Sequence, residues 1–340
     1  MTPAPALAVE LAALTKQFTS RGTDESGGRR RVVRQEIVAV DHIDLQIRRG
    51  ELFGLLGPNG AGKTTTIRML CTLLEPTSGR AQVWDYDVVR QSEAVRRHIG
   101  VVLMGERSIY WKLTGRENLE YFAALYRVPR PLAHQRIGAL LDRVELTARA
   151  DDLVERYSTG MRQRLALIKS MVHDPPILLL DEPTTGLDPQ AARNIRDLIR
   201  HLHAEEGKTI ILTTHYMEEA DQLCERVGII DHGRIIALER PQILRRSLSA
   251  GPILRLEIDE LTDAIEPALR ALPGVTGVAV RPQGEDRGWE VTLHLADVRD
   301  ALPNAVASVS GHGGRVRHLQ LVEPSLEDVF IALTGRRLRD

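Results

Sequence analysis

Apolar and polar positions alternate in blocks along the chain, and this pattern predicts an α/β fold. Four apolar runs have the length of buried strands, and helical spacing of apolar residues follows them. These runs are residues 51–56, 177–180, 209–213 and 227–230. From residue 88 to 176 the pattern is mostly helical, with a strand-like run at 99–103. Strands that alternate with helices in this way are typical of a sheet with parallel strands.

The N-terminal segment predicts β-structure on both sides of an interruption. Residues 7–18 and 36–57 predict β-rich segments, whereas residues 19–34 contain Gly22, Gly27 and Gly28 and arginines at 29–31 and 34. This composition favours a solvated, mobile loop. A basic contact with an acidic membrane surface or a protein partner is the alternative.

A second domain is predicted after a boundary at residues 241–252. Strand-like and helix-like segments follow in the order βαββαβ. They are residues 253–258, 261–272, 275–280, 289–295, 298–309 and 315–321. This order predicts a small ferredoxin-like α+β domain over residues 252–335. Its sequence contains no glycine-rich phosphate loop, metal-ligand cluster or nucleophile arrangement, so we expect a regulatory or structural role.

The bulk composition is that of a soluble globular protein whose length favours two domains. The 340 residues are 43% hydrophobic and 27% charged, with a mean hydropathy of −0.18. No run approaches the roughly 20 apolar residues of a membrane span, and we expect no secretory signal. Cys71 and Cys224 form no disulfide framework, which fits a reducing cytoplasm. With a net charge of −1, bulk electrostatics predict no nucleic-acid partner.

One loop carries the strongest chemical signal. Its residues are Gly57, Pro58, Asn59, Gly60, Ala61, Gly62, Lys63 and Thr64, followed by Thr65. An apolar run precedes the loop and a helical pattern follows it, which is the setting of a phosphate-binding loop. Its glycines allow successive backbone N–H groups to turn inward around an anion at the start of a helix. Lys63 is then placed for the β- and γ-phosphates of a nucleoside triphosphate, and Thr64 for Mg²⁺.

Two adjacent carboxylates, Asp181 and Glu182, carry the second signal at the end of the apolar run 177–180. Neighbouring residues at a strand end point in different directions, so the two groups are suited to different tasks. Asp181 is placed to hold magnesium through water, and Glu182 to orient or deprotonate the attacking water.

Together these motifs resemble the ATP-binding subunit of ABC transporters over roughly residues 8–245. Tyr157-Ser158-Thr159-Gly160-Met161 occupies the place of that family's signature sequence, Leu-Ser-Gly-Gly-Gln. Ser158 and Gly160 agree with it, and the other three residues depart. The resemblance implies that Ser158, Thr159 and Gly160 bind the γ-phosphate of ATP held on a second subunit, through the start of a helix. Thr159 adds a side chain where phosphate approaches, which we expect to weaken this contact.

The resemblance also implies a fold and three further site residues. The ATP-binding domain, residues 7–245, is expected to combine a RecA-like P-loop core with an antiparallel β subdomain and a helical subdomain at about 105–175. Asp188 matches the segment that crosses the dimer interface, and His215 matches the switch histidine that senses γ-phosphate. Phe18 matches the aromatic residue that stacks on adenine, with a buried strand residue as the alternative.

One element of the family is missing. After the strand at 99–103 the family places a glutamine that reaches magnesium and couples nucleotide to the membrane subunit. Here Gly105 occupies that position and Glu106 follows it. Glu106 is either a magnesium ligand or a solvent-exposed acid, and both interpretations stay open. Tyr110 and Trp111, in the loop that faces the membrane subunit in this family, are either contacts for that partner or locally packed.

The end of the chain narrows the resemblance. Residues 321–330 and Met161 resemble the drug-resistance and antibiotic-export ATPases of the type-2 exporter group. The implied protein is an ATPase that uses Mg²⁺, pairs with itself or a paralogue, and works at the cytoplasmic face of the cell membrane. There it would drive a separate permease that exports a drug, antibiotic, lipid or polysaccharide-like substrate.

Two other functions are weighed against this one. A non-transport ABC ATPase of translation or DNA repair is disfavoured, because the chain has one phosphate loop and no sustained heptads. A regulator that binds ATP without hydrolysing it is disfavoured by the intact pair Asp181-Glu182.

Overall fold

A computed structural model describes residues 6–24, 31–103, 109–247, 253–282, 288–296, 298–322 and 325–334; residues 20–24, 31–35, 298–301 and 322 are described through their backbone alone. The chain divides into two units, Met1–Arg240 and Pro241–Leu338. Each unit has its own sheets and its own buried core.

A six-stranded sheet forms the centre of the first unit. Its strands are β3 (Leu52–Leu56), β6 (Ile99–Val102), β7 (Ile177–Asp181), β8 (Thr209–Thr214), β9 (Arg226–Asp231) and β10 (Arg234–Glu239). They lie in the order β10-β9-β3-β8-β7-β6. All neighbours are parallel except β10, which is antiparallel to β9. Every residue of β3, β7 and β8 is buried, which explains their nearly continuous apolar runs.

An antiparallel sheet packs beside it. Its strands are β1 (Leu7–Asp24), β2 (Arg31–Arg48), β4 (Ser78–Val83) and β5 (Tyr86–Asp87), in the order β2-β1-β4-β5. A buried apolar cluster joins both sheets to the helix that follows β3, and Leu14, Ile43, Phe53 and Ile67 are among its members. The two sheets therefore share one core.

The strands β1 and β2 continue through most of the segment that the sequence predicted as a mobile loop. Their pairing runs from Leu7↔Arg48 to Asp24↔Arg31, whereas β1 pairs with β4 only as far as Thr15. The outer halves of β1 and β2 thus form a two-stranded arm. Threonines and valines in this segment favour extended backbone because their β-carbons are branched. Their preference for strands outweighs the loop preference of the glycines and arginines. The prediction of a mobile loop was therefore wrong for residues 19–24 and 31–34. Residues 25–30 lie outside the described residues.

Seven helices of the first unit are described, and local sequence explains several of their ends. They are α1 (Lys63–Leu70), α2 (Ser92–His98), α3 (Gly115–Leu125), α4 (Arg130–Arg143), α5 (Thr159–Met171), α6 (Pro189–Ala204) and α7 (Met217–Leu223). Thr114 and Glu117 form a reciprocal capping box at the start of α3. Asp188 caps α6, and Pro189 occupies its first position. Single 3-10 turns at Thr147–Arg149 and Val154–Arg156 lie between α4 and α5.

The second unit has the ferredoxin-like arrangement that its sequence predicted. Its elements are α8 (Pro241–Ser247), β11 (Ile253–Ile258), α9 (Ile265–Arg270), β12 (Val275–Pro282), β13 (Trp289–Leu295), α10 (Val298–Gly311), β14 (Val316–Val322) and α11 (Leu326–Thr334). The antiparallel sheet has the order β12-β13-β11-β14. Alternate residues of β11 and β13 are buried against α9 and α10, including Leu254, Leu256, Val291 and Leu293. This βαββαβ core is closed on one face of its sheet by two helices.

Within the described residues, none of the helices has both the length and the apolar character that crossing a membrane requires.

Candidate nucleotide site

The sequence-predicted site residues meet at the carboxyl ends of three neighbouring parallel strands. β8 lies between β3 and β7 in the sheet. The phosphate loop follows β3, Asp181 is the last residue of β7, and His215 follows β8. Ligands of open α/β sheets bind beyond the carboxyl ends of strands. The topology therefore brings together residues that lie more than a hundred positions apart in the chain.

The phosphate loop approaches neighbouring backbone so closely that two of its positions require glycine. A β-carbon added to Gly57 would lie 2.2 Å from the carbonyl oxygen of Ile230, and one added to Gly62 would lie 2.5 Å from that of Ala39. Gly62 also has a φ of +110°, which side chains disfavour. Helix α1 begins immediately afterwards at Lys63. The N–H groups of its first turn have no partner inside the helix, so this end of α1 can bind an anion.

Lys63 is buried and turned back into its own loop. Its Nζ donates to the carbonyl oxygens of Gly57 at 2.7 Å and Pro58 at 3.1 Å. Nζ also lies 3.5 Å from Oε1 of Glu182. Burial lowers the pKa of Lys63, and the charge of Glu182 opposes this effect. The ammonium group is thus held within the phosphate loop, beside the carboxylate of Glu182, which follows β7.

Asp181 is fixed by two hydroxyl groups. Thr64 Oγ1 donates to the carboxylate, at 2.9 Å from Oδ2 and 3.1 Å from Oδ1. Thr213 Oγ1 donates to Oδ1 at 2.5 Å. Asp181 is almost fully buried, with 1% of its surface exposed. A buried carboxylate is stabilised by such donors, and both hydroxyls come from elements that flank it.

Glu182 contacts both the loop lysine and the histidine. His215 Nδ1 lies 2.5 Å from Oε2 of Glu182, and the Thr185 hydroxyl donates to the same oxygen at 2.7 Å. The N–H of Glu182 donates to the carbonyl oxygen of Thr213 at 3.1 Å. Glu182 has a φ of +53°, a left-handed conformation that a non-glycine residue adopts only when its surroundings hold it there. The strained turn aims its carboxylate between Lys63 and His215.

The signature segment begins a helix, as its sequence indicated. Ser158 is the N-cap of α5, and its hydroxyl accepts from the N–H of Met161 at 3.2 Å. Ser158 and Thr159 are exposed. Arg162 holds this helix start by donating to the carbonyl oxygen of Tyr157 at 2.5 Å. Within the described part of the chain, no hydrogen bond or ion pair joins Ser158, Thr159 or Gly160 to the phosphate loop of the same chain.

The segment that follows Glu182 lies against this helix start. Asp188 caps α6 by accepting from the N–H of Ala191 at 2.9 Å. A β-carbon added to Gly160 would lie 3.0 Å from the β-carbon of Ala191. Gln163 of α5 donates to the carbonyl oxygen of Pro183 at 2.8 Å. The sequence-predicted signature and Asp188 thus lie on neighbouring helix starts.

The remaining predicted residues have different outcomes. Phe18 lies in β1 directly opposite Ile37 and is 40% exposed, so the alternative of a buried strand residue is wrong. Glu106 and Gly105 lie outside the described residues. Tyr110 and Trp111 are 49% and 45% exposed, yet Tyr110 also packs edge-on against Tyr121 at 5.0 Å between ring centroids. Both residues are therefore exposed, and Tyr110 is locally packed as well.

Four polar residues contribute to the site without having been predicted. They are Gln163, Thr184, Thr185 and Thr213. Thr185 and Thr213 donate to the site carboxylates, and Gln163 donates to the turn that carries Glu182. Thr184 lies in that turn, and its hydroxyl donates to Glu219. A threonine after an apolar run is also what a strand end or cap would carry. Only the strand order could have identified them in advance.

The chain is similar to known proteins in both of its parts. Residues 40–185 match the model of the family described as ABC transporter, and residues 240–334 match the C-terminal domain of DrrA1-3-like ATP-binding proteins. The daunorubicin/doxorubicin resistance ATP-binding protein DrrA of Streptomyces peucetius is 41% identical over 303 residues, which cover 89% of this chain and 89% of that protein. The chain belongs to the family of ABC transporter ATP-binding proteins.

A further relative places this ABC ATPase among export proteins, and a solved structure shares the fold of its ATPase unit. The Nod factor export ATP-binding protein I of Ralstonia nicotianae is 38% identical over 308 residues, covering 90% of this chain and 92% of that protein. The dimeric structure of the ATP-binding cassette MJ0796, in a post-hydrolysis state with ADP and phosphate, aligns with a TM-score of 0.59 at 27% identity. The match covers 68% of this chain and 98% of that one.

These comparisons decide several of the sequence predictions. The family resemblance, the fold class and the activity of an ATP-hydrolysing enzyme are confirmed. The interpretation as the ATPase subunit of an exporter is confirmed over the translation or DNA-repair alternative, because the relatives are export and drug-resistance ATP-binding proteins. The ABC ATPase therefore binds ATP as its substrate.

Proposed function

We propose that this chain binds MgATP between the phosphate loop and the ends of β7 and β8, and hydrolyses it with Glu182 as the catalytic carboxylate. The continuous contact from Lys63 to Glu182 to His215, with distances of 3.5 Å and 2.5 Å, carries this proposal. Lys63 as phosphate ligand, Glu182 as proton acceptor and the imidazole of His215 thus stand in one row. That row lies at the end of the sheet where α1 offers its free N–H groups.

Lys63 binds the phosphates of ATP. Its ammonium now rests on two carbonyl oxygens of the loop, which are weaker partners than phosphate oxygens. Burial lowers the pKa of Lys63, so a bound polyphosphate restores the electrostatic stabilisation that burial removed. Gly60, Gly62 and the first turn of α1 supply backbone N–H groups to the same phosphates.

The residues present fit a magnesium ion. The Thr64 hydroxyl and the Asp181 carboxylate are hard oxygen donors, 2.9 Å apart. No group of three or more histidine, cysteine or acidic side chains among the described residues is arranged to hold a metal by itself. Thr64 and Asp181 would therefore share the ion with ATP. When bound, magnesium neutralises charge on the β- and γ-phosphates.

Glu182 orients the attacking water and accepts its proton. Its Oε2 is held by His215 and Thr185, whereas Oε1 faces Lys63 and the phosphate loop. Oε1 is therefore the oxygen available to the water near the γ-phosphate. His215 fixes the carboxylate in this direction, and 29% of its own side chain is exposed. A phosphate that reaches His215 would compete with Glu182 for the imidazole.

The site is completed by a second ATPase subunit. Ser158, Thr159 and Gly160 lie at the start of α5, where Ser158 is the N-cap and both Ser158 and Thr159 are exposed. A helix start with an exposed serine can bind the γ-phosphate of ATP on a partner. Phe18 presents an exposed ring that can stack on adenine. The ATP-binding cassette to which this chain aligns was solved as a dimer.

The partner that performs transport is an integral membrane permease. Large apolar side chains are exposed around α3, and they are Tyr110, Trp111, Tyr121, Leu125 and Tyr126. A group of exposed apolar side chains supports a protein contact at this surface. We assign the permease contact to this patch and place the dimer at the cytoplasmic face of the membrane. The exported substrate is of the drug, antibiotic, lipid or polysaccharide-like class.

Replacement of Glu182 by glutamine tests the proposed chemistry. Glu182→Gln should bind ATP with nearly unchanged affinity and hydrolyse it at least about 100-fold more slowly, because the proton acceptor is lost. The purified chain should then accumulate as an ATP-bound dimer in size-exclusion chromatography. Glu205→Gln, an exposed change at the end of α6, is the matched control. Normal phosphate release by Glu182→Gln would refute the assignment.

A further inference from the structure

One buried acid near the catalytic turn has no role in the chemistry described so far. Glu219 lies in the first turn of α7, and only 3% of its surface is exposed. The hydroxyl of Thr184 donates to its Oε1 at 2.8 Å. Its Oε2 is buried and has no hydrogen-bond partner among the described residues. Burial of an acid with one unpaired oxygen costs folding free energy. The presence of Glu219 beside Thr184 therefore needs a physical explanation.

Thr184 belongs to the same turn as Glu182. It is itself buried, with 8% of its surface exposed. Backbone bonds close the turn, from the N–H of Thr185 to the carbonyl oxygen of Glu182 at 3.2 Å and from the N–H of Leu187 to that of Thr184 at 3.2 Å. Glu182 stands in the left-handed region within this turn. A strained turn keeps its conformation only if its neighbours fix it.

Two connections join this turn to the segment that begins with His215. His215 contacts the carboxylate of Glu182, and Glu219 accepts from Thr184 four residues later. The first connection ends on the carboxylate of Glu182. The second ends on the hydroxyl of Thr184, in the turn that supports Glu182. A buried hydrogen bond therefore joins α7 directly to the turn. The second connection is protected from water, so it is not exchanged for solvent.

The groups facing Glu219 explain why it can sit there. Burial raises the pKa of Glu219, and the nearby charge of Glu182 raises it further. The hydroxyls of Thr184 and Thr214 and the guanidinium of Arg196 on α6 act in the opposite direction. Cys224 also faces this region, and burial raises the pKa of its thiol. The hydrogen bond uses Glu219 as an acceptor for the Thr184 hydroxyl, and a neutral side chain of the same shape also provides such an acceptor.

We propose that Glu219 is a positioning residue for ATP hydrolysis, which holds Thr184, and with it the turn of Glu182, against the helix that follows His215. This inference rests on the proposed role of Glu182. It extends the site to a residue that contacts neither phosphate nor magnesium. It also makes the segment from His215 to Glu219 a single support for the catalytic carboxylate.

The test compares four variants of the full-length chain in steady-state ATP hydrolysis. Glu219→Ala and Thr184→Val should each lower kcat about tenfold while KM for ATP changes less than about threefold, since nucleotide contacts are untouched. Glu219→Gln, which keeps an oxygen acceptor, should stay within about threefold of the wild type. Glu218→Ala, an exposed change on the same helix, is the control.

A double variant separates positioning from general destabilisation. If Glu219 and Thr184 act through one bond, Glu219→Ala with Thr184→Val should lower kcat no further than either change alone. Independent, multiplicative losses would overturn the proposal, as would wild-type kcat in both Thr184→Val and Glu219→Ala. A loss in Glu219→Gln equal to that in Glu219→Ala would overturn it too. If Glu219→Ala does not fold, wild-type kcat in Thr184→Val would overturn the proposal, and so would a loss in Glu219→Gln equal to that in Thr184→Val. Failure of the wild type to hydrolyse ATP would instead refute the proposed function.

Discussion

At the scale of single residues, the site is organised by threonine hydroxyls that set the direction of each acid. Thr64 and Thr213 bond Asp181, Thr185 bonds Glu182, and Thr184 bonds Glu219. A hydroxyl that donates to one carboxylate oxygen decides which oxygen stays available for a ligand. These neutral donors therefore orient the acids without adding charge to the site.

Thr213 provides the sharpest test of this view. Thr213→Val keeps the shape of the side chain but removes the donor to Asp181, so kcat should fall roughly tenfold to a hundredfold. Thr209→Val changes the same strand at its other end, where the hydroxyl accepts from the N–H of Gly50 at 2.8 Å. Phosphate-release assays should show near-normal turnover for Thr209→Val. Equal turnover in the two variants would contradict an orienting role for Thr213.

His173 makes stability depend on pH in a defined window. Its ring stacks on Tyr126 with centroids 3.7 Å apart, its Nε2 bonds the carbonyl oxygen of Ile99, and burial lowers its pKa to about 4. The unfolded chain binds a proton at about pH 6.5, so between these values the unfolded state holds more protons. Stability is therefore complete above about pH 6.5 and is lost as pH falls toward 4.

Denaturant unfolding of the wild type at pH 7 and pH 4.5 measures this effect. We expect the His173 contribution to be about 2 kcal/mol between these two values. His173→Gln has no such proton equilibrium and should show a correspondingly smaller difference. A pH dependence identical in the two proteins would show that His173 is not its source.

At the scale of elements, one buried amide ties the proposed permease contact to its helix. Asn118 of α3 is fully buried. Its Nδ2 donates to the carbonyl oxygens of Tyr110 and Thr114, both at 2.9 Å, and its Oδ1 accepts from the N–H of Tyr110 at 2.7 Å. The segment that carries Tyr110 and Trp111 is thus held by three hydrogen bonds to a single side chain.

Removal of this side chain should separate permease binding from ATP binding. Asn118→Ala should lower the free energy of unfolding by about 2 kcal/mol, because buried backbone groups lose their partners. Capture of a co-expressed permease should weaken, whereas ATP affinity measured by calorimetry should not. Glu120→Ala, exposed on the same helix, is the control. Undiminished permease capture by folded Asn118→Ala would refute the assignment of the patch.

Elements with strong periodicity could be predicted from the sequence, and elements that depend on long-range pairing could not. The buried strands β3, β7 and β8 and the phosphate loop follow from apolar runs and fixed motif spacing. The arm formed by β1 and β2 could not be predicted, because each strand is stabilised by the other across a glycine- and arginine-rich segment. In the same way, the acids of the site could be predicted from the sequence. The hydroxyl groups that bond them could not, because their positions depend on the strand order.

At the scale of the whole molecule, the two units have separate cores. The second unit buries its own apolar residues, among them Leu254, Leu256, Ile265, Leu293 and Val309. A domain with its own core can fold alone. We therefore expect a fragment of residues 241–340 to fold without the ATPase unit.

Thermal unfolding of that fragment, followed by circular dichroism, should give one cooperative transition. A fragment in which Leu256 is replaced by aspartate should show none, because the charge would enter the core. A wild-type fragment that melts without cooperativity would show that its core needs the rest of the chain.

The position of β3 in its sheet has a consequence for biosynthesis. Both of its neighbours, β8 and β9, come from much later in the chain, and 159 residues separate Gly50 from Thr209, with which it bonds. At synthesis rates of about 5–20 residues per second, roughly ten to thirty seconds pass between the emergence of these two residues from the ribosome. During that interval β3 lacks both of its neighbouring strands, and its apolar side chains are accessible to chaperones. The nascent subunit therefore gains its ATP-binding site only after nearly the whole ATPase unit has been translated.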